Sequence, residues 1–485
     1  MDYIQDQIKR IKVCLGNPPD LEVREIVLYV GQEQTRKGSV LYCSSLVNEE
    51  RIANEVIRPL TQLASFWYDA SQPFPGFQNI ITSAQVEETN NFVEQIVSSI
   101  LQGYVLLYIE QTASWRIQLK KGEKRSITEP ENEKAVRGPK DCFTENLSTN
   151  MTLVRQRLQY QNLRIEEPQL GTKLPTKVVM FYVKDSVKEG VLKEVRQRLQ
   201  GIHIEALIDA SYIEEIISDF RWSPFPTIEY TERPDKMAAS IIEGRIAIMV
   251  DGSPTCLLAP TIFAHFLMAT EDQYILPYAA TAIRWLRFLA LFLAFSLPSI
   301  FIALTTIHHG MIPPFLGVTL AKARTGMPFP IALEILLMES LMEIVREAGL
   351  RMPGPLGQSV TIVGTLVIGE AAVSAGLISA PVVVVVALTT LASFAIPAYY
   401  MGLSIRLMRF PMMAFSTVLG LVGVTWYLMV ILIHLVGIRS FGIPYLTPLG
   451  PWQGKNVKDT ILRFPRWRMD GASSYGRKKL KKREG

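Results

Sequence analysis

Four glutamates occur in an apolar stretch of the sequence, where carboxylates are unusual. Between Phe329 and Gly349 the chain is rich in Leu, Ile and Met and contains Glu334, Glu339, Glu343 and Glu347. The last three recur at every fourth position, so a helix would present them as one acidic stripe. Because carboxylates that face lipid are costly, we expect the acidic stripe to face protein, water or a lipid headgroup layer. A solvated face of an interfacial helix is an equally good interpretation.

A further carboxylate, Glu370, is the only charge between Gly357 and Leu403. In the helix predicted for 357–378, small residues form one stripe, polar residues lie on the adjoining face, and Glu370 points roughly the opposite way. An intramembrane carboxylate is a functional or pore-facing candidate by default, although an Arg or hydroxyl of a neighbouring helix would also satisfy it. The polar face and Glu370 cannot both look into one lumen. The candidates for pore lining or helix packing are Gln358, Thr361, Gly364, Thr365, Gly369 and Glu370.

Positive charge is concentrated at the C-terminal end. The formal net charge is +5, but residues 439–485 carry twelve Lys or Arg against three acidic residues, which is +9 for this segment and −4 for the rest. The body is therefore not a nucleic-acid binder by composition. Beside a membrane, a basic cluster is typical of an anionic-lipid site, and a disordered solubilising end is the alternative. The cluster consists of Arg477, Lys478, Lys479, Lys481, Lys482 and Arg483.

No pattern typical of an enzyme is present. The sequence lacks the phosphate-binding, dinucleotide, zinc-protease and nucleophile-elbow motifs. The four cysteines are scattered, and the five histidines show no metal-ligand spacing apart from the adjacent pair His308 and His309. We therefore predict a protein that is not an enzyme, uses no cofactor or metal, and keeps reduced thiols.

The elements that position these residues begin with a repeat in the N-terminal part of the chain. Ser98 to Leu119 and Ser240 to Leu258, about 140 residues apart, each predict a helix end, a glycine cap, an apolar strand, a turn and a second strand. The strand and helix that follow Ser39 also resemble those that follow Val178. We predict that 20–120 and 172–265 are related α/β subdomains; coincidence between common βα patterns is the alternative.

The expected fold class is an α/β soluble N-terminal region of two related subdomains, followed by an α-helical polytopic membrane domain. The predicted divisions are a first α/β subdomain at 1–120, a polar linker and helix at 121–171, a second α/β subdomain at 172–282, a helical membrane domain at 283–438, and a basic cytosolic tail at 439–485.

The membrane domain is predicted to contain four spans plus a broken amphipathic pair. Leu286 to Ile307 supplies one span, Gly357 to Leu403 supplies two, and Pro411 to Gly437 supplies the fourth. The pair at 312–352 would raise the number to five or six if it crosses. The start of the chain is amphipathic rather than a signal peptide and the tail is basic, so both are expected in the cytosol. With four spans, however, Arg406 and Arg409 would fall outside.

An ordered series of motifs closely resembles the A-subunit family of spore germinant receptors, the GerA family. The resemblance covers about residues 15–450 and rests on the series rather than on any one motif. The motifs include Arg137-Gly-Pro, Phe143-Thr-Glu-Asn, Thr231-Glu-Arg-Pro-Asp-Lys, Val250-Asp-Gly-Ser-Pro, Pro328-Phe-Pro, Arg346-Glu-Ala-Gly-Leu-Arg-Met-Pro, Ile362-Val-Gly-Thr-Leu-Val-Ile-Gly and Ser440-Phe-Gly-Ile-Pro-Tyr.

The resemblance implies a multi-pass receptor subunit of the spore inner membrane. In that family the A subunit acts with a transporter-like B subunit and a lipoprotein C subunit, and is thought to form a homo-oligomeric ring that conducts ions. The alternative is a paralogous spore-membrane protein that partners the dipicolinate release channel; the sequence from Leu15 to Asp20 and near Arg24 favours the receptor. A carrier with its own substrate site is a third hypothesis, but no second half matches the first.

Overall fold

The computed structural model describes residues 2–30, 34–64, 85–89, 93–110, 114–121, 133, 137–352, 364, 367–451, 460 and 462–465. Within them the chain forms two compact units. The first, the α/β unit, contains Met1–Ser218 and Ile228–Pro260. The second, the helical unit, contains Asp219–Thr227 and Thr261–Asp470.

The α/β unit contains two antiparallel sheets with the same strand order. The first sheet is ordered β1-β2-β4-β5-β3, and the second is ordered β6-β8-β10-β11-β9 with β7 paired to β8. When β7 is set aside, the two orders are identical, which confirms the prediction of two related α/β subdomains. The strands are β1 (Leu21–Val30), β2 (Gln34–Cys43), β3 (Val86–Thr89), β4 (Tyr104–Ile109), β5 (Ser114–Gln118), β6 (Leu163–Glu166), β7 (Gln169–Leu170), β8 (Thr176–Val183), β9 (Glu229–Thr231), β10 (Ile246–Val250) and β11 (Cys256–Ala259).

Matching local signals build the same unit twice. In each sheet a helix ends at a glycine with positive φ, Gly103 at 87° and Gly244 at 97°, and the central strand follows directly. Glycine adopts this backbone conformation without a steric penalty. The helices of this unit are α1 (Asp2–Leu15), α2 (Glu49–Arg51), a π-helical segment (Ile52–Ile57), α3 (Arg58–Ala64), α4 (Val93–Leu101), α5 (Leu147–Arg157), α6 (Glu189–Gln200), α7 (Ala210–Ile217) and α8 (Pro234–Ile242).

Two buried arginines tie the first sheet region to the second. Arg155 lies on α5, which packs on the second sheet, and its Nε and Nη2 donate to the two carboxylate oxygens of Asp20 at 3.1 and 2.9 Å. Arg164 on β6 donates to the carbonyls of Cys14 and Leu15, both at 3.0 Å, at the end of α1. A cation at a helix C-terminus satisfies carbonyls that have no partner within the helix.

The helical unit follows as predicted, as a helical C-terminal region with apolar helices. Its longest helix, α9, packs against α12, α13 and α14 around one apolar core. The helices are α9 (Pro277–Thr306), α10 (Pro314–Ala323), α11 (Ile331–Arg351), α12 (Ala380–Phe394), α13 (Tyr399–Leu419) and α14 (Leu421–Gly437); a helical segment at 367–374 and the short strands β12 (Arg439–Ser440) and β13 (Ile443–Pro444) complete it.

Among the residues described above, one helix is long and apolar enough to span a membrane. This helix is α9, with 30 residues, whereas the apolar helices α12 and α14 have 15 and 17 residues. A buried helix of a soluble protein has the same length and composition. The predicted number of spans therefore stays a prediction.

The first turn of α14 packs so closely on α13 that it requires glycine at one position, and this gives a testable prediction. A Cβ on Gly423 would lie 2.2 Å from the backbone oxygen of Phe415, so Gly423→Ala forces the two helices apart. We expect the change to destabilise the helical unit by about 1–3 kcal/mol, the usual cost of overpacking. Gly437→Ala is the control, because its Cβ would meet nothing within 4 Å. Thermal unfolding of the full chain in detergent checks this, and equal melting temperatures for both variants would contradict it.

Candidate functional site

The four glutamates of α11 range from fully buried to exposed. The side chains of Glu334 and Glu339 are 0% exposed, that of Glu343 is 29% exposed and that of Glu347 is 60% exposed. The predicted acidic stripe therefore faces protein at Glu339 and is exposed at Glu347, which pairs with Arg351 on the same helix at 2.7 Å. Only its inner part belongs to a buried site.

Arginines of α13 provide the buried partners. Arg409 is 1% exposed, and its Nη2 lies 2.6 Å from Glu339 Oε2 and 3.5 Å from Glu343 Oε1. The Nε of Arg406 lies 3.4 Å from the same oxygen of Glu343. Arg346, on α11, places its Nη1 3.5 Å from that oxygen as well. Three guanidinium groups thus converge on one carboxylate oxygen, and two carboxylates face three cations.

Aromatic rings and a hydroxyl complete the surroundings of this charge network (Glu339, Glu343, Arg346, Arg406, Arg409). Arg346 lies over the ring of Phe394 at 5.0 Å and donates to Ser393 Oγ at 3.2 Å. Arg406 and Arg409 lie 6.0 and 5.9 Å from the rings of Tyr399 and Phe410. Aromatic faces stabilise cations through the ring quadrupole, most strongly where water is excluded. The network therefore joins α11, α12 and α13 through charge rather than apolar packing alone.

Glu334 is not part of the charge network and instead caps the start of α12. Its Oε2 accepts hydrogen bonds from the backbone N–H and the hydroxyl of Ser379, at 2.9 and 2.7 Å, just before α12 begins. Arg324 lies 3.3 Å from its other oxygen. A carboxylate at this place satisfies a free N–H group and interacts favourably with the positive end of the helix dipole. Glu334 therefore fixes the start of α12 against α11.

The candidates near Glu370 are only partly described. Gln358, Thr361 and Thr365 lie outside the described residues, as do the tail residues Arg477, Lys478, Lys479, Lys481, Lys482 and Arg483. Gly364 is helical, and a Cβ there would make an ordinary contact with α11. Gly369 is buried, and a Cβ would lie 3.3 Å from Val383 and 3.8 Å from Met338. Glu370 is exposed. The pore-lining role of these residues stays a prediction.

A second ionic cluster lies in the α/β unit. Lys236 Nζ lies 2.6 Å from Glu133 and 2.9 Å from Glu229, and Arg245 pairs with Glu229 at 2.7 Å. Burial lowers the pKa of Lys236, but the two carboxylates outweigh it and raise the pKa. The Thr231-Glu-Arg-Pro-Asp-Lys motif therefore holds Glu133 of the predicted linker by the ion pair that its Lys236 forms.

The described residues do not form a metal site, and their buried cysteine thiols are not activated as nucleophiles. No three His, Cys, Asp or Glu side chains there group in a way that would hold a metal ion. Burial raises the pKa of the Cys43 thiol to about 12, and burial also raises that of Cys256. Thiols with raised pKa values form little of the thiolate that attacks substrates.

Arg346, Arg406 and Arg409 were not among the site residues predicted from the sequence. A signal was nevertheless present, because Glu339 and Glu343 are four residues apart and Arg406 and Arg409 are three apart, so each pair shares a helix face. A charge within an apolar helix needs a partner inside the protein. Matching the two faces by sign would have suggested the pairing.

The chain matches a known protein family over most of its length. The family described as "Bacillus/Clostridium GerA spore germination protein" matches residues 9–475. The chain therefore belongs to the GerA family, which confirms the resemblance noted in the sequence. Subunits of this family are of receptor type and are not enzymes, as predicted.

The chain is similar to several individual proteins of this family. The chain is 38% identical over 483 residues to spore germination protein KA of Bacillus subtilis (strain 168), covering 99% of this chain and 87% of that protein. It is 38% identical over 434 residues to the uncharacterized membrane protein YfkQ of the same strain, covering 89% and 84%. The crystal structure of the N-terminal domain of the A subunit of the Bacillus megaterium spore germinant receptor GerK3 matches with 28% identity and a TM-score of 0.41, covering 53% of this chain and 94% of that one. The family match and the similarity to spore germination protein KA support a role in spore germination.

Proposed function

We propose that the chain is the A subunit of a nutrient germinant receptor of the spore inner membrane. The family match over residues 9–475 carries this proposal. The subunit crosses the membrane several times, with its α/β unit and tail in the cytosol. A transporter-like B subunit and a lipoprotein C subunit sense the germinant with it, and several A subunits assemble into an ion conduit. Coupling between germinant sensing and ion release is the proposed activity.

The distribution of side chains in the helical unit supports the membrane placement. Glu339 and Arg409 are buried inside, whereas α14 exposes an apolar stripe whose members recur every three or four residues. Large exposed apolar surfaces on soluble proteins are rare, and lipid removes their cost. The stripe consists of Val422, Trp426, Met429, Ile433 and Val436, which are 63%, 52%, 61%, 65% and 64% exposed.

Deletion of the gene in the spore-forming source organism tests the proposed function. We expect the spores to lose dipicolinate release in response to one class of nutrient, to keep their response to other classes, and to recover when the gene is restored. Affinity purification of the tagged subunit should also recover B-type and C-type subunits. An equal delay of dipicolinate release for every nutrient would instead support the alternative function, a partner of the dipicolinate release channel.

The proposed conduit gives a prediction at Glu370. If this exposed carboxylate lines the conduit, Glu370→Gln should lower cation flux through the full receptor in liposomes, because a fixed negative charge raises the local cation concentration. Glu347→Gln, which removes an exposed carboxylate from α11, is the matched control. Unchanged flux and selectivity in Glu370→Gln would remove Glu370 from the proposed pathway.

The basic tail gives a second prediction of the proposal. A fusion protein that carries residues 466–485 should bind liposomes containing anionic lipid at low salt and dissociate as salt is added, because the attraction is screened. Removal of 477–485 should abolish this binding, while neutral liposomes should bind neither form. Equal binding of the two fusions at low salt would leave the tail as a solubilising end.

A further inference from the structure

The two ends of the helical unit can be told apart from its contacts. Helices α13 and α14 are joined at Gly420, so the start of α13 and the end of α14 lie together at the other end. A Cβ on Gly420 would lie 2.5 Å from the ring of His308, just after α9 ends. Helix α9 therefore starts at the same end of the unit as α13. This end contains the starts of α9 and α13 and the end of α14.

A short segment, the strap (Asp219–Thr227), is fixed across this end. Ser223 Oγ lies 2.9 Å from Nε2 of His434 in the last turn of α14, and Tyr445 donates its hydroxyl to the carbonyl of Pro226 at 2.7 Å. The side chain of Phe225 is buried in the apolar core. The strap also accepts a hydrogen bond from Ser404, near the start of α13, at the carbonyl of Pro224. The strap is thus held on both neighbouring helices.

Exposed aromatic side chains surround this end of the helical unit. Trp222 of the strap is 100% exposed, although the strap is anchored on both sides of it, by Ser223 and by Asp219, whose carboxylate accepts a hydrogen bond from the backbone N–H of Phe441 at 2.7 Å. Tyr278 at the start of α9 is 73% exposed, and the adjacent Tyr399 and Tyr400 at the start of α13 are 43% and 41% exposed. Arg439, directly after α14, is exposed as well. We name the four aromatic residues the aromatic rim.

We propose that the aromatic rim lies in the headgroup layer of the membrane, with Trp222 inserted at the boundary between headgroups and acyl chains. This inference rests on the proposed membrane placement of the helical unit. Tryptophan and tyrosine are enriched at that boundary because each has an apolar ring and a polar group that can stay hydrated. The apolar stripe of α14 ends where the rim begins, so acyl chains would cover the stripe and headgroups the rim. The exposed Arg439 suits an anionic headgroup.

The rim predicts the depth of one side chain, and depth-dependent quenching tests it. The full chain is placed in nanodiscs whose lipids carry bromine either near the headgroup or near the end of the acyl chain. The contributions of Trp222 and Trp426 are obtained by difference from Trp222→Phe and Trp426→Phe. Trp426 is the matched control because it lies eleven residues before the end of α14, which is about 16 Å along the helix.

We expect shallow bromine to quench the Trp222 contribution about twofold more than deep bromine does, and we expect the reverse preference for Trp426. If Trp426 is quenched but neither lipid quenches Trp222, the rim does not lie in the membrane and the inference is wrong. A protein partner that covers Trp222 would give this result. If Trp426 is not quenched either, the membrane placement itself fails. Because Trp222 is fully exposed, Trp222→Phe should leave the fold intact, and an unchanged melting temperature checks this.

Discussion

Arg409→Met is expected to destabilise the helical unit by about 3–5 kcal/mol, the usual cost of removing one partner from a buried ion pair. Glu339 is 0% exposed and pairs at 2.6 Å with Arg409, so its charge would remain buried without that partner. Glu339→Leu should cost less, because Arg409 would keep Glu343 at 3.5 Å. Thermal unfolding of the full chain in detergent, with resistance to added denaturing detergent as a second measure, should show this order.

A double variant separates loss of the pair from loss of packing. Glu339→Leu combined with Arg409→Met removes both charges and should recover most of the stability lost in Arg409→Met. Arg351→Met is the control, because Arg351 is 79% exposed in its pair with Glu347, and it should change stability by no more than about 0.5 kcal/mol. If the double variant were as unstable as the sum of its single changes, the two charges would not act as a pair.

The same pairing removes a difficulty in the predicted topology. With four spans, Arg406 and Arg409 would lie outside, against the excess of cations that cytosolic loops carry. That rule concerns charges in short loops, whereas these arginines lie within α13 and face Glu339 and Glu343. Their contribution to orientation is therefore small. The two arginines do not count against cytosolic placement of both ends.

The repeated α/β unit could be predicted because its signals are local. The helix end, the glycine with positive φ and the apolar strand lie within a dozen residues around Gly103 and around Gly244. Each signal has a direct physical cause in backbone sterics or burial. The order of strands within each sheet could not be predicted, because β3 and β9 pair with strands that follow them in the chain.

The charge network could not be placed from the sequence for a related reason. Glu339 and Arg409 lie on different helices, 70 residues apart. Their opposite signs suggest a pairing, but signs alone do not exclude other partners in the helical unit such as Arg324. Glu370 was predicted as a pore-facing candidate because it is the only charge in its stretch of the sequence. A charge that is isolated in the sequence need not be buried in the fold. The structure exposes Glu370 and buries Glu339.

The second large effect is expected in the α/β unit, where Arg155→Met should cost about 3–5 kcal/mol. The side chains of Arg155 and Asp20 are 0% and 3% exposed, and two hydrogen bonds join them. Burial lowers the pKa of Arg155, but Asp20 outweighs burial and raises the pKa, so the arginine stays charged. Of the side chains in the described residues that donate to Asp20, Arg155→Met would leave the hydroxyl of Ser45, at 2.6 Å.

The position of the Arg155–Asp20 pair determines which elements should lose protection from hydrogen exchange in Arg155→Met. Because α5 packs on the second sheet while Asp20 precedes β1 of the first, Arg155→Met should speed hydrogen exchange both in α5 and in β1–β2 of the full chain. Arg157→Met is the matched control on the same helix, since its pair with Asp141 is partly exposed, and it should cost no more than about 1 kcal/mol.

Asp20→Asn with Arg155→Met should recover part of the loss, because an amide can still bond to Ser45 and carries no charge. Faster exchange confined to α5 would mean that Arg155 stabilises its own helix and does not join the two sheets.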